Sequence, residues 1–585
     1  MLNDEFLLGV RKPARYIGSE WNVSKKSFDQ AAVRFALCFP DMYEVGMSNL
    51  GIRIIYSVLN TIPDVCCERV FVPDIDMAQA LRDKALPLFS LESQKEVRAF
   101  DILGFSLGYE LSYTNVLSVL DLAGIPLEAA SRGKEFPLII AGGPAVMNPE
   151  PMHEFIDLFV IGEAEEAMVE LIDVYRAHKA DYLAGRILKA DLLAALCRIE
   201  GVYVPSFYDV SYNYDQSVKS YTPNRAGVPA TVKKRVLPDL NALSFPRGWI
   251  VPYIQIIHDR LTIEVSRGCP NRCRFCQGRS CYFPVRYRKP EQVLAAAREY
   301  YRQTGYDEIS LAGLSVSDYP DLPGLMEHMV GAFKDKGVSI SLPSVKPKTF
   351  LGGMSCLIAT VKKTGLTFAP EAATDRLRKL IGKDFDEAEF FRMLDEVYRA
   401  GYQHVKLYFM VGLPQETDAD IEAIADFSRR VSSARKAAAG SGAPVNVSVN
   451  TVIPKPHTPF QWVRMYSLEQ MQDAQRRLLS KNSGRKIKIS FHDRSMNFLE
   501  GVFSRGDRRL SAVIKAAYAK GCRFDGWSEH FKFESWMDAF RETAMDPAFY
   551  LRQRRIDECL PWDFIDAGIP KQALIKEYQA MERSE

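Results

Sequence analysis

The feature that most limits what this chain can fold into is an alternation, run twice, between short apolar stretches of strand length and longer runs with helical spacing. In the first series, Val33–Phe39, Ile102–Ser106, 137–141 and 156–161 are apolar enough to be strands buried on both faces. Between them, Tyr113–Leu122 and 163–175 repeat their apolar residues every three or four positions. Buried strands separated by amphipathic helices specify a parallel, doubly wound sheet. Gly142-Gly143-Pro144 directly follows one strand, and Gly162-Glu163 follows the next and opens a helix. In such sheets, ligands bind beyond the carboxyl ends of the strands.

Residues 201–250 are rich in Tyr, Pro, Ser and Val, with Asn213, Asp215, Pro223 and Gly227 as turn formers, and predict irregular β-hairpins or an ordered linker. The second series follows. Its strand candidates are 261–266, 308–311, 338–342, 366–369, 404–410 and 445–453, separated by helical runs that include Pro290 to Gly305, 387–400 and Asp418–Ala439. Six β/α units are fewer than the eight of a closed barrel, so a partial barrel open on one side is expected. From 481 onward the pattern is mainly helical, as in Leu510–Ala519.

The expected fold is therefore α/β. A lead of residues 1–30 precedes a doubly wound, flavodoxin-like domain over 31–200. A β-hairpin linker over 201–250, a partial (β/α)6 TIM-type barrel over 251–480 and a helical region over 481–585 follow.

At 585 residues the chain is long enough for two to four domains. Its 75 basic residues nearly balance 73 acidic ones, so overall charge points to neither nucleic acid nor a membrane. The first residues carry early acids and only a short apolar run, and no stretch of about 18 uninterrupted apolar residues occurs. A cytoplasmic protein with reduced thiols is expected. Eleven cysteines are too sparse for a disulfide scaffold, but three lie within eight residues.

Those three, in Cys269-Pro-Asn-Arg-Cys273-Arg-Phe-Cys276, come just after the first strand of the second series, on the face where β/α barrels build their active sites. Thiolates suit iron–sulfur clusters or zinc. Clusters of four irons usually take four cysteines, so three leave one iron open to a bidentate small molecule. The competing possibility is a closed zinc knot with Cys281 as fourth ligand.

The CxxxCxΦC pattern, Φ being aromatic, is met in full by Cys269, Cys273, Phe275 and Cys276, and here the chain resembles the radical S-adenosylmethionine (SAM) enzymes. The resemblance implies a [4Fe-4S] cluster held by the three cysteines, with SAM chelating the fourth iron. It implies reductive cleavage to a 5′-deoxyadenosyl radical, and a flavodoxin- or ferredoxin-type reducing partner. Phe275 would pack beside the adenine. Ala312-Gly313-Leu314-Ser315 occupies the place of a Gly-Gly-Glu-like segment but lacks the glutamate, leaving Ser315 or Ser317 to serve. Lys346 would pair with the methionine carboxylate, and Glu371 would contact the ribose or amino group. Gly412 in Val-Gly-Leu-Pro would line the adenine, and the last strand would contribute Asn450 to Ile453. Each has a plainer reading: Glu371 as a helix N-terminal acid, Lys346 as a solvated lysine, Gly412 as a turn. His457 and His530 read as structural, and Cys38, Cys66 and Cys67 as buried small apolar residues.

The N-terminal domain resembles the cobalamin-binding domains fused to many of these enzymes. Ser106, Gly142 and Gly143 fit the small-residue positions that admit a nucleotide tail. In Asp41-Met-Tyr43-Glu-Val-Gly46, however, Tyr43 stands in the histidine slot of the Asp-x-His-x-x-Gly signature. The whole chain resembles a group of radical enzymes with a cobalamin-binding-like domain.

The main expectation is a radical SAM enzyme of unknown substrate, with cobalamin as a possible second cofactor. The first alternative is an RNA-modifying, methylthiotransferase-like enzyme. It is suggested by Pro454-Lys-Pro-His-Thr-Pro459 and by ten Lys or Arg against three Asp or Glu in residues 481–521. The second is a non-enzymatic module with a metal knot. No catalytic side chain can be named from sequence.

Overall fold

The computed structural model describes residues 4–583 except 244, 343–345, 347–365, 384, 400, 401 and 483. Strands β1 (Val33–Phe39), β2 (Val65–Phe71), β3 (Ile102–Ser106), β4 (Leu138–Gly142), β5 (Leu158–Val160) and β6 (Val202–Tyr203) form one sheet in the order β2-β1-β3-β4-β5-β6. The first five run parallel, and β6 adds to β5 antiparallel. The order 2-1-3-4-5 is that of a flavodoxin-like sheet. The helices expected at Tyr113–Leu122 and after Glu163 are present, the latter as Ala164–Leu183.

Strand β2 escapes the sequence pattern for a physical reason. Its sequence Val-Cys-Cys-Glu-Arg-Val-Phe puts two charges in the middle of a fully buried strand. Arg69 is neutralised by Glu20 at 2.7 Å and Glu92 at 2.7 Å, while Glu68 accepts hydrogen bonds from the Ser90 and Ser93 hydroxyls. Buried charge is tolerated when it is paired in this way.

The linker forms the expected hairpin, β7 (Tyr208–Tyr212) with β8 (Val218–Pro223), and β9 (Val232–Lys233) reaches the far end of the chain to pair with β19 (Ile565–Asp566). In the second series, β10 (Leu261–Glu264) is followed by a two-stranded ribbon of β11 (Ser266–Arg267) and β12 (Arg286–Tyr287). Strands β10, β13 (Glu308–Ala312) and β14 (Ser339–Ser341) make one parallel sheet. Strands β15 (Leu366–Glu371), β16 (Val405–Val411), β17 (Val445–Thr451) and β18 (Ile487–Phe491) make another. Strand β18 is additional to the six units read from sequence and lies within the stretch read as helical. Its Lys488 and Ser490 are exposed, so its sequence reads as a solvated run.

Period-two alternation assigns the faces of this second sheet. Val405, Leu407, Phe409 and Val411 are buried against the helices Glu387–Arg399 and Asp418–Ala439, with the Phe409 and Phe427 rings 5.7 Å apart. The intervening Lys406, Asn446 and Lys488 lie in one register on the opposite face and are exposed. A closed eight-stranded barrel fills its interior with side chains; this opposite face carries exposed polar residues among those described.

The apolar core divides in two. One part runs from the N-terminal sheet into residues 452–581, and the other lies between the barrel sheets and their helices. The two ends of the chain therefore form one body. No described helix is long and apolar enough to cross a membrane.

Candidate cofactor site

The three clustered cysteines lie on the loop joining β11 to the short helix Gly278–Cys281, past the carboxyl end of β10. All three are partly accessible. Burial pushes the Cys273 thiol up to about 11, with Lys383 pulling the other way, and burial also raises Cys276 against hydrogen bonds from the Arg279 and Gly278 amides. Both thiols feel the charge of Cys269 and of Glu371, and Cys273 feels that of Cys276 as well. Free thiols at such positions are easily deprotonated by a metal that binds them.

The loop is gripped from several sides. The Arg274 amide donates to the Ile381 carbonyl at 2.9 Å. The Cys269 sulfur accepts from the Asn271 side chain at 3.2 Å. Asn271 also donates to Asp318 at 3.0 Å and accepts from Lys346 Nζ at 2.8 Å, while Ser315 donates to Asp318 at 2.6 Å. Ser315 and Lys346, both expected at the site, thus meet in one polar cluster beside Cys269. Its other members, Asn271 and Asp318, went unnoticed in the sequence because neither residue type carries a metal or cofactor signal by itself.

Gly313 packs against the start of the loop, where an added Cβ would come within 2.4 Å of Ser266 Oγ. That hydroxyl is buried with no hydrogen-bond partner. Glu371 ends β15 after a break in register, with φ +67°, in the left-handed region that β-strand residues avoid. Burial raises its carboxyl, and Lys383 at 3.4 Å partly offsets this. Gly412 (φ +86°) donates its amide to Glu416 at 2.6 Å and lies under the Tyr466 ring. Phe275 packs edge-to-face on Phe460 at 6.3 Å. Asn450 is exposed on the same face of β17 as Asn446, and Ile453 is half-buried.

A cavity of about 520 Å3 lies between the carboxyl edge of the N-terminal sheet and the cysteine loop. Ser106, Gly142, Gly143 and Gly313 all line it, as do Ser266, Gly268, Cys281 and Tyr282. Its size falls within the range of about 300–1,000 Å3 usual for ligand pockets. Gly143 has φ +109°, and a Cβ there would lie 2.6 Å from the Leu107 carbonyl oxygen, so only glycine fits. No histidine is among the described residues that line the cavity. Tyr43 is turned elsewhere, donating to Glu20 at 2.8 Å in the Arg69 cluster. Asp41 accepts from the Trp527 indole at 3.0 Å.

The remaining sequence candidates have structural roles. Cys38, Cys66 and Cys67 are buried. His457 is buried, its ring 3.0 Å from the Met147 carbonyl oxygen, and burial pushes it down to about 4. Lys455, beside it, bridges Glu110 at 2.7 Å and Glu500 at 2.9 Å. The basic stretch 481–521 is largely spent internally. Lys481, Arg508, Arg509, Lys515 and Lys520 pair with Glu422, Glu150, Asp507, Glu128 and Glu542, and Arg505 donates to the Tyr550, Val463 and Arg552 carbonyls.

Comparison with known proteins follows the same division of the chain. Residues 51–205 match the model of the N-terminal region of radical SAM proteins, and residues 263–428 match that of the radical SAM superfamily. An uncharacterised protein of Methanocaldococcus jannaschii is 26% identical over 482 residues, covering 82% of this chain and 90% of that one. The ribosomal protein uS12 methylthiotransferase RimO of Desulfotalea psychrophila is 26% identical over 193 residues, 32% of this chain and 42% of its own length. The chain thus spans less than half of that relative. Among solved structures, the radical SAM methyltransferase TsrM from Kitasatospora setae, with cobalamin and a [4Fe-4S] cluster bound, superposes with a TM-score of 0.53 at 12% identity. The match covers 87% of this chain and 99% of that one.

Proposed function

The chain belongs to the radical SAM superfamily, and from that premise we propose that it is an enzyme whose [4Fe-4S] cluster is held by Cys269, Cys273 and Cys276. The observation that carries this reading is the arrangement of those thiols on one loop at the carboxyl end of the first barrel strand. The buried, unpartnered Ser266 hydroxyl and the bare Gly313 backbone face the same cavity. When bound, the cluster and SAM supply reductive cleavage of the sulfonium to a 5′-deoxyadenosyl radical that takes a hydrogen from substrate.

The chain's own residues then have defined work. Lys346 and Ser315, with Asn271 and Asp318, offer a cation and hydroxyl for the methionine end. Glu371 and Lys383 form a charged pair next to Cys273. Gly412 and Phe275 offer flat surfaces for the adenine, while Asn450 and Ile453 complete the wall from β17. The cavity, walled by Ser106, Gly142 and Gly143, would hold cobalamin by its nucleotide tail. None of the described lining residues is a histidine, so none of them would offer cobalt an imidazole. A low-potential flavodoxin- or ferredoxin-type donor would supply the electron.

The test is an oxygen-free preparation treated with dithionite and SAM. The reading predicts about four irons per chain, release of 5′-deoxyadenosine, and none from Cys273→Ala. A colourless chain holding a single zinc ion and releasing no 5′-deoxyadenosine would overturn it. Corrinoid absorbance retained through gel filtration supports the second cofactor; its absence after incubation with hydroxocobalamin removes it.

A further inference from the structure

The cysteine loop, residues 268–285, leaves β11 at Arg267 and returns through β12 at Arg286, and these two residues face each other across the ribbon. Both side chains are buried, with 8% and 9% of their surface exposed. Neither finds its main counter-charge within the loop. Glu163, from the N-terminal domain, takes Arg286 in a bidentate pair at 2.6 and 2.7 Å and Arg267 at 3.4 Å. It also accepts the Leu237 amide at 2.7 Å. Arg267 is further held by Glu165 at 2.7 Å and Glu264 at 2.9 Å.

We infer that Glu163 is the positioning residue of the cysteine loop: one carboxylate from the neighbouring domain fixes both roots of the segment that carries all three thiols. Bidentate guanidinium–carboxylate pairs set orientation as well as distance. Gly268, between Arg267 and Cys269, leaves no slack. Its φ is +85°, and a Cβ would lie 2.7 Å from the Tyr282 carbonyl oxygen. A shift of Glu163 is therefore transmitted to the thiols. Glu163 follows directly on Gly162, and both line the cavity beside Gly142 and Gly143. The residue that fixes the cluster loop thus sits in the wall of the neighbouring domain's pocket, so whatever fills that pocket bears on the loop.

This inference rests on the cluster reading above. Its test uses the full chain, loaded with iron and sulfide to equal content in the wild type and in Glu163→Gln, Glu163→Asp and Glu165→Gln. Two quantities are read: the rate at which a ferrous chelator strips the iron, and the midpoint potential of the cluster followed by electron paramagnetic resonance. Outer residues that orient ligands typically change metal affinity 10- to 100-fold, so Glu163→Gln should lose iron about 10-fold faster. Its potential should rise, because two guanidiniums lose their shared negative partner. Glu163→Asp should restore the potential, and Glu165→Gln, which leaves the Arg286 pair intact, should shift it less. Wild-type rate and potential in a loaded Glu163→Gln overturn the inference alone. A wild type that takes up no iron overturns the cluster reading and this inference together. If Glu163→Gln does not fold, Arg286→Lys, which keeps the charge but loses the bidentate pair, replaces it; unchanged stripping then overturns the inference.

Discussion

At the scale of single residues, the site is built from groups held against their preferences. Glu371 sits in the left-handed region, a conformation that costs about 1–3 kcal/mol for a residue other than glycine and persists where surroundings enforce it. Glu416, behind Gly412, is pushed by burial from 4.5 up to about 7, against hydrogen bonds from the Gly412 amide and the Tyr466 hydroxyl. The folded chain therefore keeps this proton over a window in which the unfolded chain has lost it. Stability should fall as pH rises from about 4.5 to about 7 and then level off. Glu416→Gln should flatten that part of the profile, as measured by urea midpoints across pH. The three cysteines were legible in the sequence because their spacing is local and their chemistry narrow. Lys383, which acts on Cys273, was not, because a separate β/α unit brings it there.

At the scale of elements, apolar strands such as β1 and β4 and helices such as Asp418–Ala439 follow from their periodicity alone. The strands that do not are the ones that carry polar residues, paired with distant partners in β2 and exposed to solvent in β18. Glu68 and Arg69 mask β2, and Lys488 and Ser490 mask β18. In β2 the partners Glu20 and Glu92 come from outside the strand. Arg69→Ala would strand two buried carboxylates and should cost about 3–5 kcal/mol in unfolding by denaturant, as the loss of one partner from a buried ion pair typically does. Changing Lys488 to Ala, on an exposed face, should move the same midpoint little.

At the scale of the whole molecule, the sequence suggested successive domains, and the structure shows the last segment returning to the first. Trp462, Trp536 and Trp562 are fully buried in the core shared with the N-terminal sheet, and β19 pairs with β9. Contacts between residues hundreds of positions apart leave no trace in local periodicity, and only packing reveals them. The final helix, Lys571–Glu582, completes this return. Its Glu577 holds Arg279, just after Cys276, at 2.7 and 2.8 Å, and its Met581 carbonyl accepts from Gln415, beside the Gly412 turn, at 2.9 Å. A premature stop codon at Lys571 would thus take three buried residues from one core and unfasten two loops that bracket the proposed cofactor site. Such an allele should melt lower, having lost Leu574, Tyr578 and Met581 from one core, and its 5′-deoxyadenosine release should fall further than the lost stability accounts for.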